Sequence, residues 1–431
     1  MSEILADLAL RSYRAAGRLA APLVDFALRR RERAGKEDTA RRGERRGRAS
    51  LPRPAGRLVW LHAASVGETM AALGLVERLA ATGASVLVTT GTVTSAEIAA
   101  ARLPAGALHQ FVPADVAAWV DRFLDHWRPD VAVFVESEIW PATILALARR
   151  RIPQILVNAR ISERSARRWG LFDGLPRALF GRLALVLAQS DEDADRLRRL
   201  GAPKVVVTGN LKFDGSPLTV DEAELARLEA AIDGRPTWVA ASTHAGEEAI
   251  VATAHLTARA DVPGLLCVLA PRHPRRGDEV RAVLAAAGLS VASRSLGETP
   301  GAETDVYLAD TIGEMGLVYR LAPIAFVGGS LVPRGGQNPI EPARLGVGVL
   351  HGPLVRNFAD IYRVLDATCG ARAVADAEAL AAAVVEAHTD PAPLAGCIDR
   401  ARAVIDASTG AVDRTFAALA PWVPDAGEGT R

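Results

Sequence analysis

The sequence has few cysteines, few aromatic residues and no long apolar run. Of its 431 residues only three are cysteine, and Cys267, Cys369 and Cys397 lie far apart. This spacing predicts neither a disulfide framework nor a zinc site, and it fits a reducing cytoplasm. No small-residue cleavage site follows a short apolar core near the N-terminus, so a secretory signal is not expected.

Several common catalytic motifs are also absent. No G-x-S-x-G elbow is present, which disfavours a hydrolase triad. No G-x-G-x-x-G follows the first predicted strand, which disfavours a dinucleotide-dependent oxidoreductase. His244 and Glu247 have a spacing that suits a metal, but the sequence offers no third ligand nearby. We therefore expect no metal and no other cofactor.

Charge is unevenly distributed along the chain. Residues 1–50 contain 13 Lys or Arg against 7 Asp or Glu, so they carry +6 while the whole chain carries +1. Apolar residues at mostly helical spacing accompany these charges between Leu5 and Leu28, and arginines interrupt them. A spanning helix needs about 20 uninterrupted apolar residues, whereas an amphipathic helix on anionic lipid fits this pattern. A basic helix packed on its own domain remains the alternative.

The body of the chain shows no sign of nucleic-acid binding, because no basic patch with interleaved aromatic residues recurs there. From residue 57 onward, short apolar runs alternate with helical periodicity. Such a pattern predicts parallel sheets covered on both faces. The predicted strands are 57–62, 85–90, 131–135, 154–158, 184–189 and 204–208, then 237–241, 264–270, 289–292, 305–308, 323–327 and 347–350.

These two series of strands predict two doubly wound α/β domains. We place a basic helix and linker at 1–50, a first domain at 51–225 and a second domain at 226–431, with a last helix at about 394–420. A weak internal similarity supports the division, because WLHAASVGE opens the first series of strands and WVAASTHAGE opens the second. In such folds the loops after the strands carry the chemistry.

Glu68 is the first candidate residue, in the stretch HAASVGE at residues 62–68. The Ser-x-x-Glu spacing suits a helix-capping box, and it equally suits a carboxylate that takes a proton from a substrate hydroxyl. Spacing does not separate these two hypotheses.

Further candidates follow other strands of the first half. Glu136 and Glu138 come directly after a very apolar strand, where two carboxylates are costly unless they are paired or solvated in a cleft. We therefore favour a functional role for them. Lys212 either neutralises an anionic donor or leaving phosphate, or forms a surface salt bridge with Asp214.

Three loops of the second half suit a nucleotide. Arg272 follows a strand, where a guanidinium grips a phosphate well. Residues 310–314 suit a capping box at a helix N-terminus, whose dipole favours phosphate. A glycine-rich run leads to Glu341, which suits the two hydroxyls of a ribose. Together they predict a nucleotide site in this domain.

In this order, the motifs resemble the 3-deoxy-D-manno-octulosonic acid (Kdo) transferase family of lipid A biosynthesis. The resemblance spans about residues 57–360. It rests on HAASVGE (62–68), ESEIWP (136–141), NARIS (158–162), GNLKFD (209–214), STH (242–244), PRHP (271–274), DTIGE (310–314), FVGGS (326–330) and NPIE (338–341).

The resemblance implies a GT-B fold, built from two Rossmann-like domains with an N-terminal membrane-associated helix. It implies CMP-Kdo as donor, a lipid A precursor such as lipid IVA as acceptor, inversion at the anomeric carbon, and a place on the cytoplasmic side of the cell inner membrane. Glu68 would be the general base, with Glu138 and Lys212 stabilising the transition state. CMP would be held by Pro271, Arg272, Ile312, Gly313, Glu314, Asn338, Pro339, Ile340 and Glu341.

Two positions depart from the family pattern. Gln337 stands where the family usually has His, and Ala142 stands where it usually has Asn. Because a glutamine does not titrate, the resemblance implies no protonatable role at position 337. The alternatives to Kdo transfer are another GT-B enzyme, such as a UDP-sugar transferase or epimerase, and a non-catalytic lipid-binding protein on the same scaffold.

Overall fold

The computed structural model describes residues 3–172, 174–215 and 218–423. The chain divides into two compact units, residues 1–216 with 408–431 and residues 217–407. The division precedes α10 (Glu222–Ile232), because Leu225, Leu228 and Ile232 of this helix are buried in the core of the second unit. The sequence-based boundary after residue 225 fell inside this helix.

The first unit is built on a parallel seven-stranded sheet with the order β3-β2-β1-β4-β5-β6-β7. Its strands are β1 (Leu58–His62), β2 (Ser85–Thr90), β3 (Ala107–Phe111), β4 (Val131–Val135), β5 (Gln154–Ala159), β6 (Leu185–Ala188) and β7 (Val205–Val207). Its helices up to this point are α1 (Glu3–Arg33), α2 (Arg42–Arg45), α3 (Val66–Ala81), α4 (Val93–Arg102), α5 (Ala117–Trp127), α6 (Pro141–Arg149), α7 (Glu163–Gly170), α8 (Leu175–Phe180) and α9 (Asp191–Arg199).

Helices cover both faces of this sheet, and the central strands are accordingly apolar throughout. Every residue of β1 and β4 is buried. Side chains alternate between the faces, so Leu58 and Trp60 join one core layer while Val59 and Leu61 join the other. This is the covered parallel sheet that the continuous apolar runs predicted.

The second unit contains another parallel seven-stranded sheet, with the order β10-β11-β9-β8-β12-β13-β14. Its strands are β8 (Thr237–Thr243), β9 (Leu266–Pro271), β10 (Val291–Ser293), β11 (Val306–Leu308), β12 (Ile324–Val327), β13 (Gly348–His351) and β14 (Ala371–Ala373). Its helices after α10 are α11 (Glu247–Asp261), α12 (Gly277–Ala286), α13 (Met315–Arg320), α14 (Ile340–Arg344), α15 (Ala359–Ala367), α16 (Ala377–Thr389) and α17 (Pro391–Ser408).

The C-terminal helical stretch is broken, where the sequence predicted one helix over 394–420. α17 ends at Ser408, and α18 (Ala411–Leu419) begins after Gly410, whose φ of 82° lies in the left-handed region. α18 belongs to the first unit, where Ala411 and Leu419 enter the core. The Asp214 carboxylate caps it by accepting the backbone N–H groups of Gly410, at 2.7 Å, and Val412.

Helix α1 packs on the first unit through a few of its side chains. Leu10 is buried beside Ile144 and Leu179, and Leu28 is buried beside Val116 and Trp119. Ala21 and Val24 pack partly beside Leu28, whereas the large apolar side chains of Leu8, Tyr13, Leu19 (84% exposed), Leu23 and Phe26 are exposed. The side chains of Leu5, Arg14 and Arg18, which the sequence pattern included, lie outside the described ones. Across the described residues, no helix is long and apolar enough to cross a bilayer.

The segment 36–56, which contains the linker predicted within residues 1–50, is folded as part of the first unit. Glu44 of α2 is 1% exposed and accepts two hydrogen bonds from Arg41, each 2.9 Å, and the N–H of Phe111 at 2.7 Å. Arg41 also stacks over the Phe111 ring, 4.7 Å from its centroid. These contacts pair the buried carboxylate of Glu44 with Arg41 and fix the segment on the sheet. The segment is therefore not a free linker.

Candidate active site

The two acidic motifs of the first unit lie beside each other. β1 precedes Glu68, β4 precedes Glu136 and Glu138, and these strands are neighbours at the point where the strand order reverses. In doubly wound sheets this switch point, at the carboxyl ends of the strands, forms the ligand-binding crevice.

Glu68 combines features of both hypotheses made for it. Ser65 is the N-cap of α3, and its hydroxyl accepts the Glu68 N–H at 3.3 Å. The Glu68 carboxylate reaches back to the N–H of Ala64, at 2.6 Å, and accepts the Ser65 hydroxyl at 2.9 Å. The side chain is nevertheless only half-buried. The helix is therefore capped, and the carboxylate remains accessible.

Burial and neighbouring charges make Glu68 a better proton acceptor than an ordinary glutamate. Burial raises the pKa of its carboxyl, and the negative charges of Glu138 and Glu136 raise it further, against the hydrogen bonds from Ala64 and Ser65. A raised pKa means a stronger affinity for the proton of a hydroxyl group.

Glu138 differs from Glu68 in that its surroundings favour the ionised carboxylate. Burial alone would raise its pKa, but His62 and the indole N–H of Trp140 bind the carboxylate and lower the pKa overall. The His62 Nε2 atom lies 3.4 Å from Glu138 Oε2, while its Nδ1 is 3.0 Å from the carbonyl oxygen of Thr89. Glu138 is thus an ionised neighbour of Glu68, oriented by a fully buried histidine.

Lys212 pairs with Glu136 and not with Asp214, the partner considered in the sequence analysis. Its ammonium lies 2.8 Å from Glu136 Oε1, whereas Asp214 caps α18. The 3₁₀ turn Leu211–Asp214 carries the lysine, and Asn158 Oδ1 fixes this turn by accepting the Leu211 N–H at 3.0 Å. Glu68, Glu138 and Lys212 therefore lie in one electrostatically coupled cluster with Glu136.

The residues predicted to bind CMP lie on loops at one edge of the second sheet. Pro271 ends β9, and the N–H of Arg272 donates to the carbonyl of Thr243 at 2.9 Å. Ile312, Gly313 and Glu314 follow β11, and residues 338–341 follow β12. The neighbouring order β11-β9-β8-β12 brings these three loops to the carboxyl edge around β8.

Within that edge, the predicted residues differ in their surroundings. Arg294 binds both oxygens of Glu314, at 2.6 and 2.5 Å, and lowers the pKa of its carboxyl. Ile312 is 86% exposed, which leaves its side chain open to a ligand base or ring.

Asn338 and Glu341 are bonded to each other. Asn338 Nδ2 donates to Glu341 Oε1 at 3.1 Å, and Asn338 Oδ1 accepts the N–H of Ile340 at 3.1 Å. Pro339 and Ile340 are buried beneath them. Burial raises the pKa of the Glu341 carboxyl. The segment thus presents a partly buried carboxylate on a rigid turn, which suits hydroxyl groups.

Glu247 has a structural role that its sequence did not reveal. It is fully buried and accepts four backbone N–H groups, those of His244 (3.0 Å), Gly329 (2.6 Å), Ser330 (2.9 Å) and Leu331 (2.9 Å). Its carboxylate therefore joins the loop after β8 to the loop after β12. Among residues 3–172, 174–215 and 218–423, no three His, Cys, Asp or Glu side chains are grouped to hold a metal ion.

Comparison with known proteins decides the family. The family model of 3-deoxy-D-manno-octulosonic-acid transferase (kdotransferase) matches residues 40–215. The 3-deoxy-D-manno-octulosonic acid transferase of Bordetella pertussis is 40% identical over 426 residues, covering 95% of this chain and 99% of that protein. The chain belongs to this family. The enzyme of the same name from Haemophilus influenzae is 37% identical over 327 residues, 74% of this chain and 75% of that protein.

The chain is thus a glycosyltransferase of the Kdo transferase family, with a GT-B fold of two Rossmann-like sheets, as its sequence predicted. A glycosyltransferase from Rickettsia africae ESF-5 shares this fold, with a TM-score of 0.58 over 86% of this chain and 100% of that chain at 12% identity. That likeness concerns the fold alone.

The structure adds His62 and Arg294 to the residues that the sequence singled out, and it gives Glu136, already a candidate, a partner in Lys212. His62 was read only as the last residue of a strand. A histidine at the end of an apolar strand, in a sheet whose neighbouring strand ends in two carboxylates, is the signal that could have identified it. Arg294 gave no such signal, because its partner Glu314 lies 20 residues away.

Proposed function

We propose that this enzyme transfers Kdo from CMP-Kdo to a lipid A precursor such as lipid IVA, with inversion at the anomeric carbon. The observation that carries the proposal is the pairing of a half-exposed Glu68, whose pKa is raised, with an ionised Glu138. One carboxylate is prepared to accept a proton, and the other stays negative near a cation-like transition state.

In the proposed reaction, Glu68 takes the proton of the attacking acceptor hydroxyl. The hydroxyl oxygen bonds to the anomeric carbon of Kdo while the bond from that carbon to the phosphate oxygen breaks. CMP leaves with the electron pair as a phosphate monoester. We assign Glu138 and Lys212 to stabilising the charges that develop.

On the donor side, we assign Arg272 to the CMP phosphate, because a guanidinium matches phosphate oxygens well. Asn338 and Glu341 suit the ribose hydroxyls, since a partly buried carboxylate accepts two of them. Glu314 and Ile312 complete the nucleotide contacts. The backbone of the same loops is set by Gly313, Pro339, Ile340 and Pro271. No metal is needed for CMP to leave.

Mass spectrometry of the product tests this proposal. Incubation with CMP-Kdo and a tetra-acylated acceptor should add the mass of one or more Kdo residues. Turnover with UDP-sugars alone would favour the other GT-B enzymes. Acceptor binding without any transfer would favour the lipid-binding scaffold.

We also propose that α1 holds the enzyme on the cytoplasmic side of the inner membrane. Leu19, Leu23 and Phe26 are exposed, and arginines 29–31 follow them. Apolar groups beside basic ones bind anionic lipid surfaces. Replacing these three residues with serine should release the protein from anionic vesicles, whereas Leu296→Ser, at an exposed site of the second unit, should not. Unchanged binding of the triple variant would refute the anchor.

A further inference from the structure

Three side chains that the proposed CMP contacts leave unused surround one glycine of the second unit. A Cβ atom placed on Gly329 would lie 3.2 Å from His244 Cδ2, 3.2 Å from Gln337 Nε2 and 3.5 Å from Arg334 Cβ. The loops that carry them follow β8 and β12, which are neighbours where the strand order of the second sheet reverses. They therefore lie at the switch point of this sheet, where ligands bind.

The loop that carries Arg334 is rigid at its base. The N–H of Gly336 donates to the Gly329 carbonyl at 2.7 Å, and the N–H of Gln337 donates to the Gly328 carbonyl at 3.1 Å. Asn357 donates to the carbonyl of Arg334 at 3.1 Å. Glu247 fixes the other end of the loop and also the backbone of His244. The position of the Arg334 backbone is thus set before any ligand arrives.

The arginines of this region differ in whether they have an ion-pair partner. Arg276 is paired with Glu248 and Glu279, at 2.7 and 2.8 Å. By contrast, no carboxylate of the described residues lies within ion-pair distance of Arg272 or Arg334, and both are exposed. Burial, followed by electrostatic repulsion from His273, Arg334 and Arg272, lowers the pKa of His244 to about 4. His244 is therefore neutral, with Gln337 Nε2 held 3.2 Å from its Nε2.

The single phosphate of the donor would pair with one of these two guanidinium groups. The other guanidinium group could then pair with a second anionic group of the same donor. We propose that Arg334, beside His244, binds the carboxylate of an acid sugar, while Arg272 binds the nucleotide phosphate. This inference rests on the proposed function and deepens it. It makes Arg334 the residue that distinguishes an acid sugar from the neutral sugars of other nucleotide donors, because guanidinium pairs with carboxylate in a two-bond geometry.

CMP carries the phosphate but not the carboxylate, and this difference provides the test. Arg334→Gln should raise the KM for CMP-Kdo by about 10-fold to 100-fold and leave the Kd of CMP unchanged. Arg272→Gln should weaken both. Arg363→Gln, at an exposed site on α15, is the matched control and should change neither.

Two results would overturn the inference. Either Arg334→Gln keeps the KM for CMP-Kdo, or it weakens CMP as much as CMP-Kdo, which would assign Arg334 to the phosphate. Arg334→Lys should recover part of the loss, since it keeps the charge without the planar fork. These results presuppose that the wild-type enzyme uses CMP-Kdo. If the wild type transfers nothing from CMP-Kdo, the proposed function itself fails.

Discussion

The two units open with nearly the same turn and use its glutamate in opposite ways. Both Glu68 and Glu247 follow the first strand of their sheet, after an Ala-Ser turn and a glycine. Glu247 is fully buried, and four backbone N–H groups occupy its oxygens. Glu68 accepts one backbone N–H and one hydroxyl, and it stays half-exposed beside two other carboxylates.

The same local motif therefore gives its glutamate a structural role in one environment and a reactive role in the other. A carboxylate saturated by N–H donors has no free electron pair directed to a substrate, and it holds its loops in place. A carboxylate near like charges takes up protons more readily. Substitutions at the two turns test whether the two glutamates have these different roles.

The largest effect should follow from Glu68→Gln, which keeps the size of the side chain and removes the base. We expect transfer to slow by about 10²- to 10⁴-fold, because a positioned base contributes that much, while the Kd of CMP stays unchanged. Glu77→Gln lies exposed on the same helix and serves as the control with full activity. If Glu68→Gln transfers at the full rate, Glu68 is not the base, and its role does not differ from that of Glu247 in the way assigned here.

Stability should respond in the reverse order. Glu247→Ala leaves four backbone N–H groups unsatisfied and should lower the free energy of unfolding by about 3–5 kcal/mol. Glu68→Ala removes helix-cap contacts at a half-exposed site and should cost about 1 kcal/mol. Urea unfolding measures both values. If the two variants lose equal stability, Glu247 does not have the framework role assigned here.

The smallest effect concerns the glycine that precedes each glutamate. Gly246 has a φ of 96°, so Gly246→Ala should cost about 1–2 kcal/mol of stability. Gly67 lies in a helical turn with nothing within 4 Å of a Cβ, so Gly67→Ala should stabilise the helix by up to about 1 kcal/mol. Thermal unfolding compares them. If Gly67→Ala is stable but slow in transfer, a ligand approaches the backbone there.

The central strands were predictable because their residues are apolar on both faces. β2 and β4 have the predicted bounds, and the other predicted strands are shifted by a few residues at most. The sequence missed β3 and β14, which lie at sheet edges. ALHQF and ARA are partly exposed and mix polar with apolar residues, so they lack the continuous apolar signal.

The candidate site was predictable as a set of loops but not as a set of contacts. Glu68, Glu138 and Lys212 were named from strand ends and from family resemblance, and their roles remain proposals. The partners of these residues depend on side chains distant in the chain, such as Glu136 for Lys212, 76 residues away. The use of Glu247 depends on loop 329–331 approaching it, which spacing within its own motif does not encode.

The most direct test is the pH dependence of the single-turnover transfer rate at saturating CMP-Kdo, with folding checked at each pH. A general base works when deprotonated, and the pKa of Glu68 is raised. We therefore expect the rate to fall with decreasing pH around a midpoint above that of an ordinary glutamate, and this acid limb to vanish from the residual rate of Glu68→Gln. An acid limb that persists in Glu68→Gln with the same midpoint would contradict the assignment of Glu68 as the base.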